Sequence, residues 1–117
     1  MTATIAVTAV AVLHLVFLTL EMFLWTKPTG RRIFGLTREF ADQSAGLAAN
    51  QGLYNGFLAA GLVWGLVTRQ PSNDITVFFL TCIIIAGVYG ALTVKPVIFL
   101  VQALPGIVAL LLVLSSG

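Results

Sequence analysis

The sequence predicts an all-α integral membrane protein, a four-helix bundle with antiparallel, up-down connectivity, and three observations carry that prediction. Hydrophobic residues make up 59% of the 117-residue chain and charged residues only 9%, against roughly 25% charge in a soluble domain; the mean hydropathy is +1.05. The apolar residues gather into four long stretches, each near the ~20 residues that cross a bilayer as a helix. The breaks between them, or the first residue of the span that follows, hold Pro28, Pro71 and Pro96 and every charge except Glu21. A chain of this length forms one domain, residues 1–117.

The first span, residues 4–25, has no charge before Glu21. It lacks the basic start, the shorter apolar centre and the small-x-small cleavage site of a secretory signal, so it reads as a retained helix. Lys27, Pro28 and Gly30 end it, because proline disfavours helical geometry in the residue before it and glycine permits a turn. The basic connector, residues 26–45, holds Lys27, Arg31, Arg32 and Arg38, with Thr37 as an expected N-cap and Glu39 in the first turn behind it. Helical character continues from about residue 38 to Thr68. Its membrane part is expected over 46–68, and the piece 40–45 projects or lies at the surface. A polar turn, Arg69 to Asp74, leads to a third span over 74–94, capped by Asn73 or Asp74. Lys95 and Pro96 make a tight connection to the fourth span, 96–114, since proline suits the first turn of a helix; a kink is expected at Pro105-Gly106. No internal repeat is visible, and the halves differ in loop length and polarity, which argues against an inverted-repeat transporter.

Orientation follows from the basic residues in the loops. Lys27, Arg31, Arg32, Arg38 and Lys95 fall on one side, and Arg69 alone on the other. Loops 26–45 and 95–96 are therefore expected in the cytoplasm and both termini outside, with Trp25 and Trp64 at opposite interfaces. Measured from the cytoplasmic boundary at 1.5 Å per residue, Glu21 lies about 6 Å deep, Asn50, Gln51, Tyr54 and Asn55 at about 6–14 Å, Tyr89 and Gln102 at about 7–9 Å, and His14 at about 16 Å. Polar groups of all four spans thus share one leaflet, and polar side chains at membrane depth turn towards one another or towards a cavity. Asn50 and Tyr54, and likewise Gln51 and Asn55, share a face at i,i+4.

Each of these residues has a plain structural reading beside a functional one. Glu21 can bind a ligand or couple to protons, or pair with Lys27, Arg31 or Lys95. His14 can relay protons or bond a neighbouring helix. The amides can bind a substrate or hold helices together. Gly52, Gly56, Gly61 and Gly65, like Gly87 and Gly90, permit close helix approach within the chain or between copies of a homo-oligomer. The Arg31-Arg32 pair sets topology or meets an anionic lipid. Cys82 is the sole cysteine, so intrachain disulfides and Cys/His metal patterns are excluded. No basic run marks nucleic-acid binding. No nucleophile-base pair or phosphate loop occurs, so the reading carries no cofactor and favours a non-enzyme; catalysis would need a borrowed cosubstrate.

The motifs Glu-Met-Phe-Leu-Trp (21–25), Arg-Arg-Ile-Phe-Gly (31–35), Ala-Asn-Gln-Gly-Leu-Tyr-Asn-Gly-Phe-Leu-Ala (49–59), Ala-Gly-Val-Tyr-Gly (86–90) and Val-Gln-Ala-Leu-Pro-Gly (101–106) resemble a family of small bacterial membrane proteins, domain of unknown function 1304. The resemblance covers nearly the whole chain. It implies four spans in the bacterial inner membrane and singles out Glu21, Asn50, Gln51, Tyr54, Asn55 and Gln102, but implies no activity. Ala49-Asn50-Gln51 with Phe57-Leu58-Ala59 looks more loosely like the membrane-associated proteins of eicosanoid and glutathione metabolism, which are trimers with sites between subunits. The enzymes among them carry arginines before the Asn and a Glu after it, where this chain has Ser44, Leu47 and Leu53 or Tyr54. The expected function is binding of a lipophilic small molecule or lipid in a polar cavity of the cytoplasmic leaflet. The alternatives are a small proton-coupled exporter using Glu21 and His14, and an enzyme acting on lipophilic electrophiles.

Overall fold

The computed structural model describes residues 1–68 and 71–116. Among them every regular element is helical: α1 (Thr2–Met22), α2 (Pro28–Phe34), α3 (Arg38–Thr68), α4 (Asp74–Thr93), a π-helical turn (Phe99–Ala103) and α5 (Leu104–Ser116). Three stretches are long and apolar enough to cross a bilayer, namely Thr2–Met22, Asp74–Thr93 and Phe99–Ser116. They leave large apolar side chains exposed, such as Ile5 and Val12 on α1, Phe78, Ile85 and Leu92 on α4, and Leu111 and Leu114 on α5. That distribution suits a lipid environment. The helix α3, which contains the expected span 46–68, is not among the three. With 31 residues it extends about 46 Å, more than the ~30 Å hydrocarbon core, but Asn50, Gln51, Asn55 and its glycines dilute its apolar character.

The ends of the elements differ from expectation in ways their chemistry explains. The first helix stops at Met22 instead of continuing to residue 25. Phe23 and Leu24 both donate to the Thr19 carbonyl, at 3.0 and 3.2 Å, and the chain opens into a turn ahead of Pro28. The connector then forms a helix of its own, α2, with Pro28 in its first turn and Gly35 at φ 67° as its left-handed C-cap, the proline-first, glycine-last arrangement of a short helix. Thr37 caps α3 as expected, its Oγ1 accepting from the Phe40 N–H at 3.1 Å. Asn73 occupies the N-cap position of α4, one of the two expected, at φ 56°, but makes no side-chain capping bond; its carbonyl accepts the first bond of the helix, from Val77 N–H at 2.9 Å. Arg69, the basic residue of the second loop, lies outside the described residues. The irregularity expected at Pro105-Gly106 lies one turn earlier, in Phe99–Ala103, where Leu104 N–H reaches back to the Phe99 carbonyl. Proline cannot donate to the carbonyl four residues before it and its ring crowds that group; the widened turn relieves both.

The chain divides into two compact units. One comprises Val12–Ala59. The other joins Met1–Ala11 to the described residues from Ala60 onward, and is built on close backbone approach. A Cβ on Gly61 would collide with the Phe79 ring, and one on Gly65 with Thr76. A Cβ on Gly87 would stand 2.5 Å from the Ala103 nitrogen, and one on Gly106 3.1 Å from Ile84 Cγ1. Residues 83–90 of α4 therefore meet 106–98 in descending register, as an antiparallel pair requires. Leu62, Leu80, Ile83, Ala109 and Val113 form its apolar core.

Candidate functional site

The Val12–Ala59 unit sets the end of α1 against the first two-thirds of α3. Gly52 and Gly56 make that approach possible. A Cβ on Gly52 would lie 2.6 Å from Met22 Cγ and 3.2 Å from Glu21 Cβ, and one on Gly56 2.8 Å from Leu18 Cδ1. Between these glycines Asn55, 4% exposed, donates from Nδ2 to Glu21 Oε1 at 2.5 Å. Glu21 is half-buried. Among the described residues its hydrogen-bond partner is thus a neutral amide, where the structural one of the two readings had Lys27, Arg31 or Lys95. The helix break after Met22 separates both basic residues of this unit from α1: Lys27 is the N-cap of α2 and Arg31 lies within it.

A second polar tie closes the same end of the unit. Trp25 Nε1 donates to Ser44 Oγ at 2.9 Å, Ser44 Oγ donates to the Phe40 carbonyl at 2.7 Å, and the Trp25 ring lies 4.9 Å from that of Phe34. The indole thus joins the end of α1, the start of α3 and α2. Trp25 was expected only as an interfacial anchor. Nothing in a separation of 19 residues announces its bond to Ser44. Arg31, read from the sequence as setting topology or meeting an anionic lipid, has its Nε buried without a hydrogen-bond partner among the described residues.

The remaining expected site residues fall into three groups. Asn50, Gln51 and Tyr54 are exposed on α3, with the Tyr54 ring 6.1 Å from Phe57. Gln51 stands one turn before Asn55, on the same side of the helix. His14 is fully buried, edge-on to Phe17 at 5.2 Å and engaged in a further interaction. Tyr89 and Gln102 belong to the other unit: Tyr89 is 69% exposed on α4, and Gln102 is half-buried in the π turn and already partnered. Among the described residues no cluster of His, Cys, Asp and Glu has the makings of a metal site.

Chemically, the α1–α3 seam offers a carboxyl group with one oxygen held by an amide, next to an exposed arc of two amides and a phenol. A carboxyl group accepts several hydrogen bonds and an amide both donates and accepts, so this arrangement suits a head group that brings donors of its own.

Comparison with known proteins places the chain. Residues 8–114 match the family described as "Protein of unknown function (DUF1304)". The uncharacterized protein YpaA of Lactococcus lactis subsp. lactis (strain IL1403) is 33% identical over 99 residues, covering 83% of this chain and 81% of the relative. No solved structure gives a significant match. On the extent of the match and the relative's identity, the chain belongs to the DUF1304 family.

Proposed function

We propose that this chain is a four-span protein of the bacterial inner membrane that binds the polar head of a lipophilic molecule against Glu21, Asn55, Gln51, Asn50 and Tyr54, in the cytoplasmic leaflet. The observation that carries the reading is the Glu21–Asn55 hydrogen bond, flanked on α3 by three exposed polar side chains. Glu21 is the one charged residue of α1, and a seam that needed only packing could be filled with apolar residues in its place. The ligand class that fits is an alcohol or amine on an apolar tail, since its donors complement the carboxyl group. The proposal keeps to the residues of the α1–α3 unit; the orientation rests on the loop charges.

The test is solvent extraction and mass spectrometry of small molecules that co-purify with the protein from its own membranes. Glu21→Gln preserves the shape of the pair and is expected to lower retention about tenfold, the difference between a charge-assisted and a neutral hydrogen bond. Equal retention in wild type and variant refutes the proposal. A second reading, proton-coupled export, is favoured by one fact: Glu21 and His14 are the only ionisable side chains of Thr2–Met22. It predicts that Glu21→Gln abolishes substrate-driven proton flux in vesicles, which the binding reading does not.

A further inference from the structure

Within the Val12–Ala59 unit, α2 is held in place by two contacts. Gly30 is buried, and a Cβ there would collide with the Leu24 carbonyl, so α2 packs directly on the backbone of the turn that ends α1. One turn further on, the Phe34 ring lies against Trp25, which is itself tied to Ser44 of α3. Gly30 and Phe34, at i,i+4, share this packed face, and Arg31 stands at its edge, half-buried.

Arg31 divides by atom. Its Nε is enclosed without a hydrogen-bond partner, the one side-chain nitrogen so placed among the described residues. The inner part of the group is thus held by protein, while the outer edge of the guanidinium stays open. A guanidinium cannot shed its charge, and among the described residues no carboxylate pairs with Lys27, Arg31 or Arg32. Three cations therefore gather within Lys27–Arg32 without an internal counter-ion. In the chain they are bracketed by Phe23 and Ile33, large apolar residues 63% and 57% exposed. A charge that served only to set topology would work as well fully solvated. Enclosing Nε costs desolvation, and what it gives in return is a guanidinium with a fixed direction.

We propose that Arg31, supported by Lys27 and Arg32, binds a phosphate group, and that this phosphate is the head group of an anionic phospholipid whose chains lie along Phe23 and Ile33. The planar fork of a guanidinium matches two phosphate oxygens. Because the side chain is already ordered, binding loses little rotamer freedom. Lys27 and Arg32 add charge beside the fork, as basic clusters next to a membrane helix do for anionic lipids. None of the residues of the proposed ligand site takes part, so the two readings stand or fall separately.

The test is thermal unfolding of the delipidated protein in neutral detergent, titrated with phosphatidylglycerol, phosphatidylcholine or inorganic phosphate. Phosphatidylglycerol is expected to raise the midpoint saturably, and the other two are not. Arg31→Gln is expected to raise the half-saturating amount of phosphatidylglycerol about tenfold, the worth of one charge-assisted hydrogen bond. Arg32→Gln, at an exposed residue whose loss leaves the fold intact, is expected to raise it about fivefold. Arg38→Gln removes the same charge from another exposed position of the connector and is expected to leave it unchanged. Each variant is read against its own lipid-free midpoint, so a change in intrinsic stability does not enter. A saturable shift with inorganic phosphate keeps the phosphate site and overturns its lipid source. No shift with any of the three, or equal losses in Arg31→Gln and Arg38→Gln, overturns the proposal.

Discussion

Asn55 is the side chain on which the α1–α3 seam turns. Its amide is 4% exposed and satisfies Glu21 Oε1 at 2.5 Å. Removing the donor leaves a half-buried carboxyl oxygen without a partner, which costs about 1–3 kcal/mol. Asn55→Leu is therefore expected to lower the unfolding free energy in mixed micelles by about that amount, whereas Glu21→Gln, which keeps a hydrogen-bonding oxygen in place, costs less. Equal losses in the two variants would mean that the pair contributes nothing beyond packing. Both residues stand out in the sequence, because a carboxyl and an amide are conspicuous in apolar surroundings. Their pairing does not. The 34 residues between them leave the register of α1 against α3 undetermined until Gly52 and Gly56 are known to face Leu18 and Met22. The same holds for Trp25 and Ser44, each ordinary on its own.

At the scale of elements, glycines divide by what lies over them. A Cβ on Gly87 would stand 2.5 Å from the backbone nitrogen of Ala103, while one on Gly46 meets nothing within 4 Å. Backbone cannot yield as a side-chain tip can, so Gly87→Ala is expected to destabilise by about 1–3 kcal/mol. Gly46→Ala, inside α3, is expected to stabilise by up to about 1 kcal/mol through helix propensity. Thermal unfolding of the two variants checks both signs. The sequence makes helix existence legible through apolar length, and Thr37 marks the start of α3 correctly. It also holds the signs of α2, Pro28 at the front and Gly35 behind, but a seven-residue helix contributes too little periodicity to be seen among basic residues. The π turn is half legible: Pro105 signals a disturbance, but whether the helix bends or widens depends on what packs there. Gly87, set against Ala103, belongs to α4.

For the whole molecule, the loop charges predict that the C-terminus lies outside the cytoplasm. Fusion of a reporter active only outside the cytoplasm is expected to give signal at the C-terminal end and none in the connector around Pro28–Phe34; the reverse pattern would invert the topology. The apolar length of the helices is legible because it rests on composition, and three of the four expected spans coincide with helices long and apolar enough to cross a membrane. The fourth reads differently for a physical reason. The residues that dilute α3, Asn50, Gln51 and Asn55, are the same ones that make it the candidate functional element, so polarity that lowers its claim to face lipid raises its claim to face a ligand.

The most direct measurement of the central claim is native mass spectrometry of the protein released from its own membranes in mild detergent, alongside Gln51→Ala. Gln51 is exposed, and exposed substitutions typically change stability by less than about 0.5 kcal/mol, so the variant keeps its fold. The account predicts a lipophilic alcohol or amine retained by the wild-type protein and lost from Gln51→Ala at unchanged subunit count. A wild-type protein that emerges bare, or the same molecule retained equally by the variant, would contradict it.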